Sequence, residues 1–173
     1  MAYVSVIVPT YNSQSVIESC LRAVRASAFQ DYELIVVDDA STDDTFSLAS
    51  KYTENVIKLP LKKGRSCARN SAIKVAKGEI IVNIDSDIII KPDTLNKIVD
   101  YFINHPEIDI LTGCLAKTHP HPNFLATIKI CICTIYLANY QKGLHFYAVR
   151  YAPLGENLYN LVILMSKSPK IRN

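Results

Sequence analysis

The segment EIIVNIDSDIIIKPDTL, residues 79–95, contains an apolar run, two aspartates and the start of a helix. Its apolar first part, residues 79–84, predicts a buried strand. Asp85 and Asp87 follow directly, where that strand should end. Pro92 marks a helix start, after which apolar residues recur at helical spacing through Phe102. The segment therefore predicts one strand–helix unit with two carboxylates at the carboxyl end of its strand.

The same strand–helix unit recurs along the chain. Apolar runs predict strands at residues 3–8, 33–39, 55–59, 79–84 and 108–113. Helical spacing and capping residues predict helices near residues 17–24, 41–52 and 65–77, and after Pro92. Ser15 and Glu18 suit a capping box for the first helix, and Gly78 suits the end of the third. We therefore predict an α/β fold with a mostly parallel sheet and helices on both faces.

Composition excludes several classes of protein. The 173 residues are 49% hydrophobic and 20% charged, with a net charge of +3, as in an ordinary globular protein. This mild charge gives no strong electrostatic case for nucleic acid, whose partners usually show a clustered basic face, so we expect no nucleic-acid partner. The opening residues predict a strand and not a targeting segment, and no run of 18 apolar residues occurs. Together these features predict a cytoplasmic protein.

The five cysteines indicate a reducing compartment. Their number is odd and most of them lie in apolar surroundings: Cys20, Cys67, Cys114, Cys131 and Cys133. The last two form a CxC pair, but no second Cys or His pair follows at zinc-like spacing. We favour a packed pair over a metal site.

Polar residues collect at the carboxyl ends of the predicted strands, the edge where open parallel sheets bind ligands. The segments there are PTYN (9–12), DDAS (38–41), LPLKKG (59–64) and DSD (85–87). Positive charge is added by Lys62, Lys63, Arg65 and Arg69. A solvated helix face is the plainer alternative for these cations. No GxxxxGK[ST] or GxGxxG loop occurs, which disfavours an ATPase or a dinucleotide enzyme.

The DSD segment predicts a divalent-cation site. Asp85 and Asp87 are two apart on a segment predicted to be extended, so their side chains should point to one face. Mg²⁺ or Mn²⁺ relieves the repulsion between them and keeps positions open for phosphate oxygens. A solvated turn is the plainer alternative, because a lone DxD pattern is a weak signal. The second acidic pair, Asp38 and Asp39, favours a polar ligand at this edge, and the nearby cations suit a diphosphate.

Four motifs in series resemble a known enzyme family. They are VSVIVPTYN (4–12), ELIVVDDASTDDT (33–45), KKGRSCARNSAIKVAKGEII (62–81) and NIDSDIIIKPDTL (83–95). Together they are similar to the nucleotide-sugar-binding half of a family 2 glycosyltransferase, which has the Rossmann-like GT-A fold. No single motif is decisive, but the series is highly specific. The resemblance covers residues 3–112 and continues more weakly to residue 150.

The resemblance implies a pocket for the nucleotide base. Pro9, Thr10 and Tyr11 match the family's residues that line this pocket. Asp39 would accept a hydrogen bond from a uracil ring, and Asp38 would support the site. The preference for uridine is implied by the family alone.

The resemblance also implies roles at the diphosphate. Arg69 would reach the nucleotide, Asp85 would lie near the ribose, and Asp87 would hold the Mg²⁺ or Mn²⁺ that bridges the diphosphate. The metal would neutralise the charge on the leaving nucleoside diphosphate. An acceptor hydroxyl would attack the anomeric carbon, with inversion.

The resemblance is weak over the second part of the chain. We therefore divide the chain into a nucleotide-sugar-binding unit, residues 1–115, and a partial acceptor-side segment, residues 116–173. Family members carry a later acidic motif whose Asp is the general base. Here GEN (155–157) offers Glu156 without a following Asp, and the family's Gln/Arg-Trp signature is missing because the chain has no Trp. We expect a truncated acceptor half and do not favour Glu156 as the base.

The apolar segment 123–153 lies where similar enzymes place a saccharide or lipid-linked acceptor. We favour its packing on the sheet. Peripheral membrane contact is the alternative, as an interfacial helix with Lys129 and Lys142 near anionic lipid. An uncovered apolar surface here would favour self-association.

Three functions follow from these observations. The first is transfer of a sugar from a nucleotide-sugar, most simply a UDP-sugar. The second is a catalytically impaired remnant that binds the nucleotide-sugar. The third is another phosphate-handling α/β enzyme, such as a nucleotidyltransferase, which would need a glycine-rich basic loop where this chain has PTYNSQS.

Overall fold

The computed structural model describes residues 3–106, 110–115, 126–134 and 164–167 of the 173-residue chain. Its helices are α1 (Ile17–Arg25), α2 (Thr45–Ala49), α3 (Arg65–Ile73) and α4 (Thr94–Asn104). Its strands are β1 (Val4–Thr10), β2 (Tyr32–Asp38), β3 (Val56–Lys58), β4 (Ile80–Asn83), β5 (Ile88–Ile89), β6 (Ile110–Leu115), β7 (Ala126–Thr134) and β8 (Leu164–Lys167). The alternation predicted for residues 3–106 is confirmed.

The strands form one mixed sheet in the order β3-β2-β1-β4-β8-β6-β7-β5. Strands β1 to β4 are mutually parallel, which confirms the predicted α/β core. The strand predicted at residues 108–113 exists as β6, but it pairs antiparallel with β7 and β8. Strand β8 pairs antiparallel with β4, so this late segment separates the parallel core from β6.

Alternate residues of the parallel strands face two different cores. Val4, Val6 and Val8 pack with α1 and α4, which lie on one face of the sheet. Ile7 and Ile35 pack on the opposite face, against the side of α3 that carries alanines. These side chains are almost completely buried, and each contributes about 1.5–3 kcal/mol through the area it removes from water. The prediction of helices on both faces is therefore confirmed.

Three local predictions about helix ends are wrong. The N-cap of α1 is Val16, without a side-chain hydrogen bond, so Ser15 and Glu18 form no capping box. Helix α2 spans only Thr45–Ala49 of the predicted 41–52, and α3 ends at Ile73 instead of near residue 77. The N–H groups of Val16 and Ile17 donate instead to the carbonyl oxygen of Ser13. A backbone turn thus leads into α1 where the sequence predicted a side-chain cap.

Gly78 does not cap α3. The C-cap of α3 is Lys74, which has right-handed backbone angles. Gly78 is needed because a Cβ atom there would lie 2.5 Å from the backbone nitrogen of Ser5. Its own N–H donates to the Ser5 hydroxyl at 2.8 Å. The glycine therefore permits a close approach between the chain entering β4 and strand β1.

Two residues that follow the central strands have left-handed backbone angles. Asn12, after β1, has a φ of 46°, and Ala40, after β2, has a φ of 62°. Asparagine tolerates this region, whereas the Cβ of an alanine is strained there by about 1–2 kcal/mol. Asn12 also uses its side-chain oxygen to accept the N–H of Thr42 at 2.9 Å.

Ala40→Gly is therefore expected to raise the free energy of unfolding by about 1 kcal/mol, because relief of strain exceeds the added flexibility of the unfolded chain. Urea denaturation measures the change. Ala26→Gly is the matched control, since Ala26 has a φ of −81° and no strain to relieve. Equal or lower stability of Ala40→Gly relative to the original chain would contradict the assignment.

Candidate functional site

The predicted site residues from the first two strands lie side by side. Thr10, at the end of β1, pairs with Asp38, at the end of β2. The N–H of Asp39 donates to the carbonyl oxygen of Thr10 at 2.9 Å, which continues the pairing beyond the strands. Pro9 precedes Thr10 within β1 and is buried. The parallel sheet thus brings segments 9–11 and 38–39 to one edge.

Asp39 fixes the loop that precedes α3. Its two carboxylate oxygens accept the backbone N–H groups of Lys63 and Gly64, each at 2.7 Å. Asp39 is itself buried, and both bonds are partly buried. Gly64 has a φ of 88°, which a glycine adopts without strain. The loop at residues 60–64 is therefore anchored against the end of β2.

Asp38 points to the other face of the sheet. It is completely buried, and its Oδ1 accepts the N–H of Ser41 at 3.1 Å. Its Oδ2 and the Oγ1 of Thr10 are buried and have no hydrogen-bond partner among the described residues. Thr10 and Asp38 are register partners, so their side chains share this face. Thr10 and Asp38 therefore lie on the face of the sheet that α1 and α4 cover, whereas Asp39 lies on the face that α3 covers.

The Tyr11 ring lies at the rim of the edge. It is 37% exposed. The ammonium group of Lys62 lies 3.8 Å from the ring centroid, which is a cation–π contact. The loop anchored by Asp39 thus places the Lys62 ammonium group against the Tyr11 ring. A planar ligand could stack on the exposed part of the same ring.

The DSD segment forms a turn and not an extended strand. The N–H of Ile88 donates to the carbonyl oxygen of Asp85 at 3.0 Å, which closes a four-residue turn. The prediction that Asp85 and Asp87 share one face of an extended segment is therefore wrong. Asp87 is exposed and forms no hydrogen bond or ion pair with the described part of the chain.

Two arginines of α3 balance the charge of Asp85. Arg69 donates from Nη2 to Oδ1 at 2.6 Å, and Arg65 donates from Nη1 to Oδ2 at 3.3 Å. Only 13% of the Arg69 side chain and 12% of the Asp85 side chain are exposed. The repulsion expected between the two aspartates is thus relieved at Asp85 by arginines, and Asp87 remains available to a ligand.

Two further residues hold the turn from the α1 side. The hydroxyls of Ser13 and Ser86 are 3.0 Å apart, and the Cys20 thiol donates to the carbonyl oxygen of Asp85 at 3.6 Å. Burial raises the pKa of Cys20 to about 12, and the charge of Asp87 adds to this increase. The thiol therefore stays neutral in these surroundings. Sequence reasoning missed these contacts, because Cys20 matched the apolar stripe of α1.

The described residues suit a metal ion that is coordinated mainly by a bound phosphate compound and water, and only in part by the protein. Among residues 3–106 and the later described strands, no group of three or more His, Cys, Asp or Glu could enclose an ion. One exposed carboxylate, Asp87, fits Mg²⁺ or Mn²⁺ that takes its other ligands from phosphate and water.

Glu156 lies outside the described residues. No helix among those described is long and apolar enough to cross a bilayer.

Comparison with known proteins shows the family and the fold of the chain. The family model described as "Glycosyl transferase family 2" matches residues 5–154. The chain is 38% identical over 115 residues to the poly(ribitol-phosphate) beta-N-acetylglucosaminyltransferase TarS of Staphylococcus aureus. That match covers 62% of this chain and 20% of the relative. The chain thus spans about a fifth of the length of this curated relative.

Solved structures with the same fold include ligand complexes. TarS residues 1–349 with UDP-GlcNAc superpose with a TM-score of 0.61 at 33% identity, covering 71% of this chain and 37% of that one. A mannosyltransferase of Pyrobaculum calidifontis with GDP-Man and Mn²⁺ gives a TM-score of 0.62 at 31% identity, covering 66% and 36%. With its parallel core, its carboxyl-edge aspartates and a family match over residues 5–154, the chain belongs to glycosyl transferase family 2.

Proposed function

We propose that the chain binds a nucleotide-sugar, most simply a UDP-sugar, at the carboxyl edge of β1, β2 and β4 and transfers its sugar with inversion. One observation carries the proposal. The edge joins the anchored Asp39 and the exposed Tyr11 ring to the Asp85 turn, where two arginines bind Asp85 and Asp87 is exposed. The family match and the nucleotide-sugar complexes of similar structures support it.

The base would bind between Tyr11 and Asp39. The Tyr11 ring offers an exposed surface for contact with a planar base. The Asp39 carboxylate already accepts two N–H groups, and its remaining lone pairs can accept the ring N–H of uracil. Pro9, Thr10 and Asp38 are buried beneath and would keep this pocket rigid.

The ribose and diphosphate would bind at the Asp85 turn. Asp85 would accept a ribose hydroxyl, while Arg69 holds the Asp85 carboxylate in place. Asp87 would hold Mg²⁺ or Mn²⁺ on the diphosphate, in keeping with the Mn²⁺ present in one similar structure. When bound, the metal supplies Lewis-acid stabilisation of the leaving nucleoside diphosphate.

The acceptor is proposed to bind the second part of the chain. We assign residues 1–115 to the donor and residues 116–173 to a saccharide or lipid-linked acceptor, with cytoplasmic peripheral membrane contact. TarS, by its name, acts on poly(ribitol-phosphate), which supports a cell-envelope polysaccharide as the class of acceptor.

A product assay tests the proposed function. The 173-residue chain is incubated with Mn²⁺ and UDP-GlcNAc or UDP-glucose labelled in the sugar, with and without polyol-phosphate or lipid-linked saccharide acceptors. Labelled product, or labelled free sugar released by hydrolysis, supports a transferase and rules out the impaired remnant. Donor binding without either product would leave a nucleotide-sugar-binding module and overturn the proposed transfer.

A further inference from the structure

We infer that Arg65 binds the diphosphate of the donor and leaves Asp85 when the donor arrives. The inference rests on the proposed function, because it assigns a further residue to the same site. Both oxygens of the Asp85 carboxylate accept a hydrogen bond, Oδ1 from Arg69 and Oδ2 from Arg65. Departure of Arg65 would leave Oδ2 more accessible to a ribose hydroxyl, although each carboxylate oxygen can accept more than one donor.

The two arginines are held very differently. Arg69 is 13% exposed and lies 2.6 Å from Asp85, so its pairing is short and shielded from water. Arg65 is 68% exposed, and its contact of 3.3 Å is long. Exposed pairs of this kind contribute about 0–1 kcal/mol. Arg65 is therefore the partner that can exchange, while Arg69 keeps the carboxylate in position.

The surroundings of Arg65 offer it no competing carboxylate within the described region. Arg65 begins α3, whose first turn contains no acidic residue. Asp39, which follows β2 and anchors the loop before α3, is already bonded to Lys63 and Gly64. Lys62 and Lys63 precede Arg65 directly and add positive charge. The α3 side of the edge thus carries surplus positive charge that suits an anionic ligand.

A diphosphate at Asp87 would come within reach of Arg65. Asp87 is two residues from Asp85 in the turn, so their Cα atoms are at most about 7 Å apart. The Arg65 guanidinium already reaches Asp85. Guanidinium groups form bidentate hydrogen bonds with phosphate oxygens that are stronger than a long, exposed contact to a carboxylate. Movement of Arg65 from Asp85 to the diphosphate would uncover Oδ2 for the ribose.

Calorimetric titration of a ligand series tests the exchange. Uridine, UMP and UDP are titrated with Mn²⁺ into the 173-residue chain and into Arg65→Gln. We expect Arg65→Gln to weaken UDP binding roughly tenfold, as for the loss of a charged hydrogen bond, and to leave uridine binding unchanged or slightly tighter. Arg65→Lys should recover part of the loss, because lysine keeps the positive charge but lacks the paired N–H donors of the guanidinium group.

Arg25→Gln is the matched control, since Arg25 is exposed in the last turn of α1 and its loss also removes one positive charge. It should leave all three affinities unchanged. An equal loss for uridine, UMP and UDP in Arg65→Gln, or no loss for UDP, overturns the inference and leaves the proposed function standing. Failure of the unsubstituted chain to bind UDP overturns both.

Discussion

Gly78→Ala is expected to lower the free energy of unfolding by about 3 kcal/mol, a large loss for one added methyl group. The new Cβ would lie 2.5 Å from the Ser5 nitrogen and 2.7 Å from the Val4 carbonyl carbon. These are backbone atoms of β1, the strand that pairs with both β2 and β4, so they cannot move without disturbing the sheet. Urea or thermal denaturation followed by circular dichroism measures the loss.

Gly64→Ala provides the control for Gly78→Ala. A Cβ at Gly64 meets no atom within 4 Å, and the penalty there comes from a φ of 88° alone. That penalty is about 1–2 kcal/mol, so Gly64→Ala should remain the more stable of the two variants. Similar losses in both would contradict the assignment of Gly78 to a close approach between strands.

Asp39→Asn is expected to weaken UDP binding by about thirtyfold and to lower the free energy of unfolding by about 2 kcal/mol. An asparagine has one acceptor oxygen, so it can serve either Lys63 or Gly64 but not both. Its NH₂ group would then face the N–H of the other residue, and the loop before α3 would lose part of its anchor. The same change removes the acceptor proposed for the base. Calorimetry with UDP and urea denaturation measure the two losses.

Asp44→Asn is the control for Asp39→Asn. Asp44 is exposed, and its side chain makes no capping bond at the start of α2. The substitution removes one negative charge without breaking a hydrogen bond, so both quantities should stay unchanged. Binding of UDP by Asp39→Asn with the affinity of the original chain would remove Asp39 from the base pocket.

The parallel core and its edge could be predicted from the sequence because the signals are local. Buried strands such as β1 are almost continuously apolar and β-branched, and each is followed by polar residues where the chain leaves the sheet. Parallel pairing then brings Thr10, Asp38 and Asp39 together irrespective of their separation in sequence. The DSD turn and α3 were placed at the same edge by the same rule.

What the sequence could not supply depends on contacts between distant segments. Strand β8 inserts beside β4 although 80 residues, 84–163, separate them along the chain. The turn at Asp85 is set by Ser13 and Cys20 from one side and by arginines of α3 from the other. The two-residue periodicity of extended chain does not hold in a turn, which is why the predicted shared face was wrong.

The binding of UDP with and without Mn²⁺ to the 173-residue chain and to Asp87→Asn tests the central claim most directly. Asp87 is exposed and forms no ion pair among the described residues, so its replacement should leave the fold intact. We predict Mn²⁺-dependent binding in the micromolar range, roughly −8 kcal/mol, and loss of the metal dependence in Asp87→Asn. Equal binding with and without Mn²⁺, unchanged binding by Asp87→Asn, or no binding by the folded chain would contradict the account.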